Sequence, residues 1–188
     1  MGKLTLLLVG ARSGKSTLAE KLAAQRGERV LYVATAIPFD DEMARRIENH
    51  QKQRPASWKT IELTTGIGEA VQDDAKYADI VLLDCFTLLV NNLIMELSDD
   101  QDPQNEVDYE EPLHREVVSI LAAMESSSAE WIIVTNEVGL GLVPPYPLGR
   151  VYRDLLGWAN QRLAAHADEV YLMVAGMAVP LHEIALKF

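Results

Sequence analysis

The sequence predicts an α/β fold, a mostly parallel sheet with helices on both faces. Three observations predict it. Five short apolar runs have the length and composition of strands buried on both sides. Amphipathic stretches of helical period separate them. A glycine-rich loop joins the first run to the first of those stretches. Alternation of strand and helix at this rhythm gives a sheet covered by helices.

The first run is Leu4–Val9. With Lys3 ahead of it, it briefly imitates a secretory signal, but six apolar residues are shorter than a signal core. Ser16–Arg26 then sets Leu18, Ala19, Leu22 and Ala23 along one side of a helix. Arg29–Ala34 is the second strand. Asp40, Asp41 and Glu42 open the next helix, because a helix N-terminus is partly positive and favours acids. Pro55 discourages helix at Arg54, so that helix ends there.

Asp79–Leu83 is the third strand. Ser98–Pro112 follows as an irregular insertion. Its Asp99, Asp100 and Asp102 lack the glycine and final glutamate of a calcium loop, so it reads as a solvated surface loop. Leu113, Val117, Ile120, Leu121 and Met124 recur at helical spacing. Trp131–Thr135 is a strand, Arg150–Ala165 a helix and Glu169–Val174 the last strand. With 188 residues, no repeat and no low-complexity linker, the expectation is a single domain over 1–188.

Composition excludes several classes. A hydrophobic fraction of 48% with 24% charged residues supports a packed core rather than disorder. The formal charge is −11, and seven acids with no basic residue fall in the insertion, leaving −4 elsewhere. A general nucleic-acid binder would need a basic surface, so that class is excluded. Cys85 is the single cysteine, so neither an internal disulfide nor a cysteine-paired zinc site is available. The longest uncharged apolar stretch, Val170–Leu181, has twelve residues and contains Gly176 and Pro180, too short to span a bilayer. A soluble cytoplasmic protein without membrane insertion is expected.

Gly10-Ala11-Arg12-Ser13-Gly14-Lys15-Ser16-Thr17 follows the first strand and opens the first helix. Glycines there let successive backbone N–H groups point into one concavity that holds phosphate oxygens. The helix N-terminus adds to the attraction. Lys15 supplies a mobile charge for the outer phosphates, and the Ser16 hydroxyl can ligate Mg²⁺. This is a phosphate-binding loop, and it makes the fold of the P-loop NTPase type. The strict spacing asks for glycine where the chain has Val9. Such a loop needs a metal partner, an acid ending a buried strand, and Asp84 after Ile80-Val81-Leu82-Leu83 has that form. Loop and acid together indicate an enzyme or a switch that uses a Mg²⁺-nucleoside triphosphate.

His50 lies near the end of the second helix, three residues after Ile47 and four after Arg46, with Lys52 and Arg54 beyond. Neighbouring cations favour neutral imidazole and attract phosphate, and a neutral ring nitrogen is a competent nucleophile toward phosphorus. On chemistry alone this is one option, since most helical histidines serve packing or surface. His114, His166 and His182 have no comparable surroundings.

The chain resembles the bifunctional adenosylcobinamide kinase/adenosylcobinamide-phosphate guanylyltransferase family of cobalamin biosynthesis, nearly end to end. The resemblance rests on the Gly10–Ser16 loop and on Asp41-Glu42-Met43, Arg46-Ile47, His50, Arg54-Pro55, Trp58, Thr60 and Glu62. It continues in Thr135-Asn136-Glu137-Val138-Gly139, Gly141, Val143-Pro144, Asn160-Gln161-Arg162-Leu163-Ala164 and Ala167-Asp168-Glu169-Val170. The resemblance implies a homotrimer and two successive reactions. ATP or GTP first phosphorylates the aminopropanol hydroxyl of adenosylcobinamide. GMP from GTP is then joined to that phosphate, releasing pyrophosphate.

Carried over by position, His50 would form the covalent GMP intermediate. Gly10, Ala11, Arg12, Ser13, Gly14, Lys15, Ser16 and Thr17 would line the nucleotide site. So would Ala34, Thr35, Ala36, Gln51, Lys52, Gln53, Arg54, Glu62 and Asp84. Val9, Asp84 and Ala178 depart from the family's pattern, which has Gly, Glu and Gly there, and the tail runs on to Phe188. Asp84 is one methylene shorter, so a direct contact could become water-mediated. Glu137 receives no role. A monofunctional P-loop kinase of a smaller metabolite is the alternative reading. A nucleotide-dependent switch is disfavoured by the lack of an Asn-Lys-x-Asp sequence.

Overall fold

The structure, a computed structural model, describes residues 2–8, 10, 13–38, 40–99 and 108–186. Its seven strands form one sheet in the order β3-β2-β4-β5-β1-β6-β7. They are β1 (Leu4–Leu8), β2 (Val30–Ala34), β3 (Lys59–Glu62), β4 (Ile80–Asp84), β5 (Glu130–Val134), β6 (Glu169–Val174) and β7 (Met177–Pro180). Every neighbouring pair is parallel except β6–β7, a tight antiparallel hairpin. The expected mostly parallel sheet is therefore present.

The four central strands are buried on both faces, which is why they read as continuous apolar runs. Alternate side chains serve different cores. Leu7, Tyr32, Ile80, Leu82 and Ile132 pack under helix α1 (Lys15–Arg26), whose Ala19 and Ala23 allow close approach. Leu4, Leu6, Val33, Val81, Leu83 and Ile133 face the other way. They meet α3 (Ile67–Ala75), α4 (Phe86–Asp99), α5 (Glu110–Glu125) and α6 (Pro147–His166). Truncating one such leucine to alanine costs about 2–5 kcal/mol. Helices cover both faces, as expected, with most of them on one. A short helix, α7 (Leu181–Ile184), follows β7.

Five elements were not anticipated, the short β7 and α7 at the end of the chain and three within it. Strand β3 is an exposed edge of sequence Lys-Thr-Ile-Glu and carries no apolar run. Helices α3 and α4 do carry helical spacing, Ile67-Val71-Ala75 and Phe86-Leu89-Val90-Ile94. The expected insertion at Ser98–Pro112 is shorter than read. Ser98 and Asp99 continue α4, and Glu110, Glu111 and Pro112 begin α5. The segment 100–107 lies outside the described residues.

Candidate functional site

The carboxyl ends of β1 to β5 all point to one edge of the sheet, where open α/β sheets bind ligands. A cavity of about 430 Å³ lies over that edge. Its lining joins the phosphate loop, the ends of β2, β3 and β4, Asn136 after β5, and the inner side of α2 (Asp41–Gln53).

The loop's geometry follows from Gly14. It caps α1 in the left-handed region, with φ of 93°, which only glycine adopts without strain. Lys15 then turns back, and its Nζ donates to the Gly10 carbonyl at 2.7 Å. Beneath the loop, the β6–β7 turn passes close enough for Gly176 N–H to donate to Ser13 C=O at 3.2 Å. Ser13 Oγ is buried and has no hydrogen-bond partner among the described residues, although it lines the cavity. A buried orphan hydroxyl beside a glycine loop and a lysine suits an oxyanion such as phosphate. Ala11 and Arg12, and the Val9 departure, lie outside the described residues.

Asp84 ends β4 and faces the same cavity. Tyr32 donates its hydroxyl to Asp84 Oδ2 at 2.8 Å. Burial and the charge of Asp84 raise the Tyr32 pKa, so the phenol keeps its proton and stays a donor. Glu20, on α1, is raised by burial and then by Asp84, with Arg54 opposing. The Cys85 thiol is pushed up to about 12 by burial and by Asp84. The Arg54 guanidinium sits 3.6 Å above the Tyr32 ring, a cation–π contact, and its Nε lacks a hydrogen-bond partner among the described residues. Arg54 lines the cavity and so offers a charged donor there.

At the far side, Asp40 caps α2 by accepting from Met43 N–H at 2.7 Å. His50 is half-buried in the last turn and lines the cavity with Met43 and Ile47. Gln51 donates to Glu62 Oε1 at 2.9 Å, tying that turn to the end of β3.

The structure thus brings Ser13, Gly14, Lys15, Ser16, Thr17, Ala34, Ala36, His50, Gln51, Arg54, Glu62 and Asp84 around one cavity. Three other described candidates do not line it: Gly10, which is exposed and whose carbonyl accepts from Lys15, and Thr35 and Lys52. Thr35 is buried behind the edge, where its hydroxyl donates to Cys85 C=O at 2.7 Å and accepts from Cys85 N–H. Lys52 pairs with Glu48 at 2.6 Å on the exposed flank of α2, rather than flanking His50, because the i,i+4 partner is nearer. Nothing is described for the side chains of Arg46 and Gln53. Sequence reasoning missed Tyr32 and Glu20. The available signal for Tyr32 was a polar-tipped aromatic inside an otherwise aliphatic strand.

Among the described residues no cluster of three or more His, Cys, Asp or Glu side chains forms a metal cage. No helix among them is long and apolar enough to cross a membrane.

Comparison with known proteins gives the family. The model of the cobinamide kinase / cobinamide phosphate guanyltransferase family matches residues 5–181. The chain is 44% identical to the bifunctional adenosylcobalamin biosynthesis protein CobU of Escherichia coli K12 over 179 residues, covering 94% of this chain and 98% of that protein. It is 43% identical to CobU of Salmonella typhimurium LT2 with the same coverage. It is 40% identical to CobP of Pseudomonas aeruginosa PAO1, covering 94% and 95%. Among solved structures, the EscN ATPase of an enteropathogenic E. coli type III secretion system matches at TM-score 0.59 and 12% identity, over 97% of this chain and 44% of that one. The RadB recombinase matches at 0.50 and 14%, over 91% and 74%. Those two likenesses concern the fold, that of P-loop NTPases. This chain belongs to the cobinamide kinase / cobinamide phosphate guanyltransferase family.

Proposed function

We propose that this chain is a bifunctional enzyme of adenosylcobalamin synthesis, working as a single domain over 1–188. In the first reaction the substrate hydroxyl oxygen attacks the γ-phosphorus of ATP or GTP, and the nucleoside diphosphate leaves. In the second, a ring nitrogen of His50 attacks the α-phosphorus of GTP and pyrophosphate leaves. A phosphate oxygen of adenosylcobinamide phosphate then takes the GMP, breaking the phosphorus–nitrogen bond and freeing His50. A covalent intermediate divides a displacement into two easier ones.

One observation carries this reading. The phosphate loop and the only histidine of α2 line the same cavity, so phosphate-holding and nucleophilic groups share one ligand. Lys15 and the loop N–H groups hold and orient the outer phosphates, which is most of what phosphoryl transfer asks of a protein. Arg54, over the Tyr32 ring beside Asp84, adds a charged donor to the same cavity.

Ser16 and Asp84 fit Mg²⁺, because both are hard oxygen donors on the cavity wall and Tyr32 occupies only one Asp84 oxygen. Bound there with nucleotide, the cation would neutralise charge on the phosphates. An open site of two protein ligands is what a phosphate-bridged Mg²⁺ uses, so a closed cage is not required. We place the enzyme in the cytoplasm as a homotrimer. Leu140, Leu142, Val143 and Tyr146 are exposed within one short segment after β5, and assembly would bury them. Light scattering at working concentration checks the assembly.

The direct test supplies adenosylcobinamide, Mg²⁺ and either ATP alone or GTP, with products resolved by mass spectrometry. ATP alone should give the phosphate and stop there. GTP should carry the product on to the GDP derivative with release of pyrophosphate. Formation of the phosphate from both nucleotides, with no GDP derivative from GTP, would instead support the monofunctional kinase.

A further inference from the structure

The segment beginning at Thr135 and the helix carrying Asn160 are joined in a way that the two reactions above do not use. Strand β5 runs between β1 and β4. Strand β1 leads into the phosphate loop and β4 ends at Asp84, so Asn136, two residues past the end of β5, stands between them. Neighbouring strands are about 4.8 Å apart. Asn136 lines the cavity with Lys15, Ser16 and Asp84.

Its backbone is held by a closed ring of hydrogen bonds. Asn136 N–H donates to Thr87 Oγ1 at 2.6 Å. Thr87 and Thr135 hydroxyls lie 3.3 Å apart, and Thr135 Oγ1 donates to Asn160 Oδ1 at 2.9 Å. The Thr135 proton is thereby committed, so Thr87 is the donor of that pair. Asn160 Nδ2 closes the ring by donating to Asn136 C=O at 2.9 Å. Thr87, Thr135 and Asn160 are buried, and each of these groups has its partner. The ring consumes the Asn136 backbone and leaves its carboxamide with no hydrogen bond among the described residues. A fixed backbone with an uncommitted amide at a cavity wall is the arrangement of a pre-positioned donor.

We propose that Asn136 is a catalytic residue of the kinase step, its Nδ2 donating to an oxygen of the γ-phosphate as that group is transferred. The proposal rests on the phosphate-loop reading of Lys15. Asn136 serves the phosphate-loop end of the cavity. His50 belongs to the other end, where Gln51 is tied to Glu62 on β3, three strands from β5, about 14 Å along the edge.

The test compares Asn136→Ala and Asn136→Asp in the full chain, with Lys15→Ala alongside and thermal midpoints recorded for each. For Asn136→Ala, kcat for adenosylcobinamide phosphorylation should fall about tenfold or more, as loss of a transition-state donor does. KM for ATP should stay within about threefold, and GMP labelling from GTP should fall less than the kinase rate. Asn136→Asp keeps the shape but sets an anion against phosphate, so its kinase rate should lie below that of the alanine variant. Kinase activity of Asn136→Asp near that of the parent would make the residue structural and overturn the proposal. So would an Asn136→Ala rate within about twofold of the parent, or equal losses in both reactions. Undiminished nucleotide turnover in Lys15→Ala would overturn the phosphate-loop reading itself, whatever Asn136 does.

Discussion

The two ends of the cavity are built differently. At the phosphate-loop end, Lys15, Thr87, Thr135 and Asn160 are all buried, and polar side chains from α4 and α6 fix the strand ends. At the His50 end, α2 contributes none of its described side chains to either core cluster. Its last turn is held by the Gln51–Glu62 contact, and the following Arg54 by the face of Tyr32. The proposed phosphate-positioning end is thus an extension of the core, whereas the proposed nucleophile, His50, rides on a helix laid over the edge. Substitutions at the first end should damage stability and catalysis together, and those at the second should damage catalysis alone.

The largest effect is expected for Lys15→Ala. Both proposed reactions seat a nucleoside triphosphate in this one cavity, so both rates should fall by about a hundredfold or more while the circular dichroism spectrum stays that of the parent. A loss confined to one reaction would break the idea of a shared cavity. Next in size is Asn160→Ala, which takes the acceptor from the Thr135 hydroxyl proton and the donor from the Asn136 carbonyl. It should cost about 1–3 kcal/mol in urea unfolding and lower kinase activity as well. Gln51→Ala removes an exposed contact at the other end and should stay within about 0.5 kcal/mol of the parent. Similar stability losses in the two variants would erase the contrast.

The smallest effect concerns the foot of the same rigid end, where Lys3, Thr5 and Arg26 converge on Glu169. Burial alone would raise this carboxyl, but hydrogen bonds from Lys3, Arg26 and Thr5 bring it down to about 2. A carboxyl depressed in the folded state adds stability that is complete above its unfolded pKa, near 4.5. That contribution is lost as pH falls toward 2. Glu169→Gln should therefore flatten the dependence of the thermal midpoint on pH between about 4.5 and 2, and leave its slope near neutrality unchanged.

Much of the rigid end was legible in the sequence. Apolar runs gave β1, β2, β4, β5 and β6, and strand-loop-helix context placed Lys15 and Asp84 on one edge. The sheet order followed from no sequence signal, yet it is what sets Asn136 between them. The Asn136–Asn160 bond joins residues 24 apart through tertiary packing, which periodicity cannot show. At the other end the helix and its stop at Arg54 were legible from Asp40 and Pro55. The cationic surroundings expected for His50 were read from spacing alone. Local pairing sent Lys52 to Glu48, and Tyr32 drew Arg54 onto its ring. Helix α4 was missed although its spacing was clear, whereas β3 offers almost nothing to read.

The central claim is that one cavity holds a phosphate-positioning end and a separate nucleophile, His50. Its most direct measurement incubates the parent and His50→Asn with α-³²P-labelled GTP and Mg²⁺, then treats the labelled protein with acid or alkali. A phosphorus–nitrogen bond hydrolyses once its nitrogen is protonated and survives base. The parent should therefore hold label that acid removes and alkali does not. His50→Asn should hold none, yet still phosphorylate adenosylcobinamide with ATP at a measurable rate. Acid-labile GMP on His50→Asn, or loss of its kinase activity together with the label, would contradict the division between the two ends.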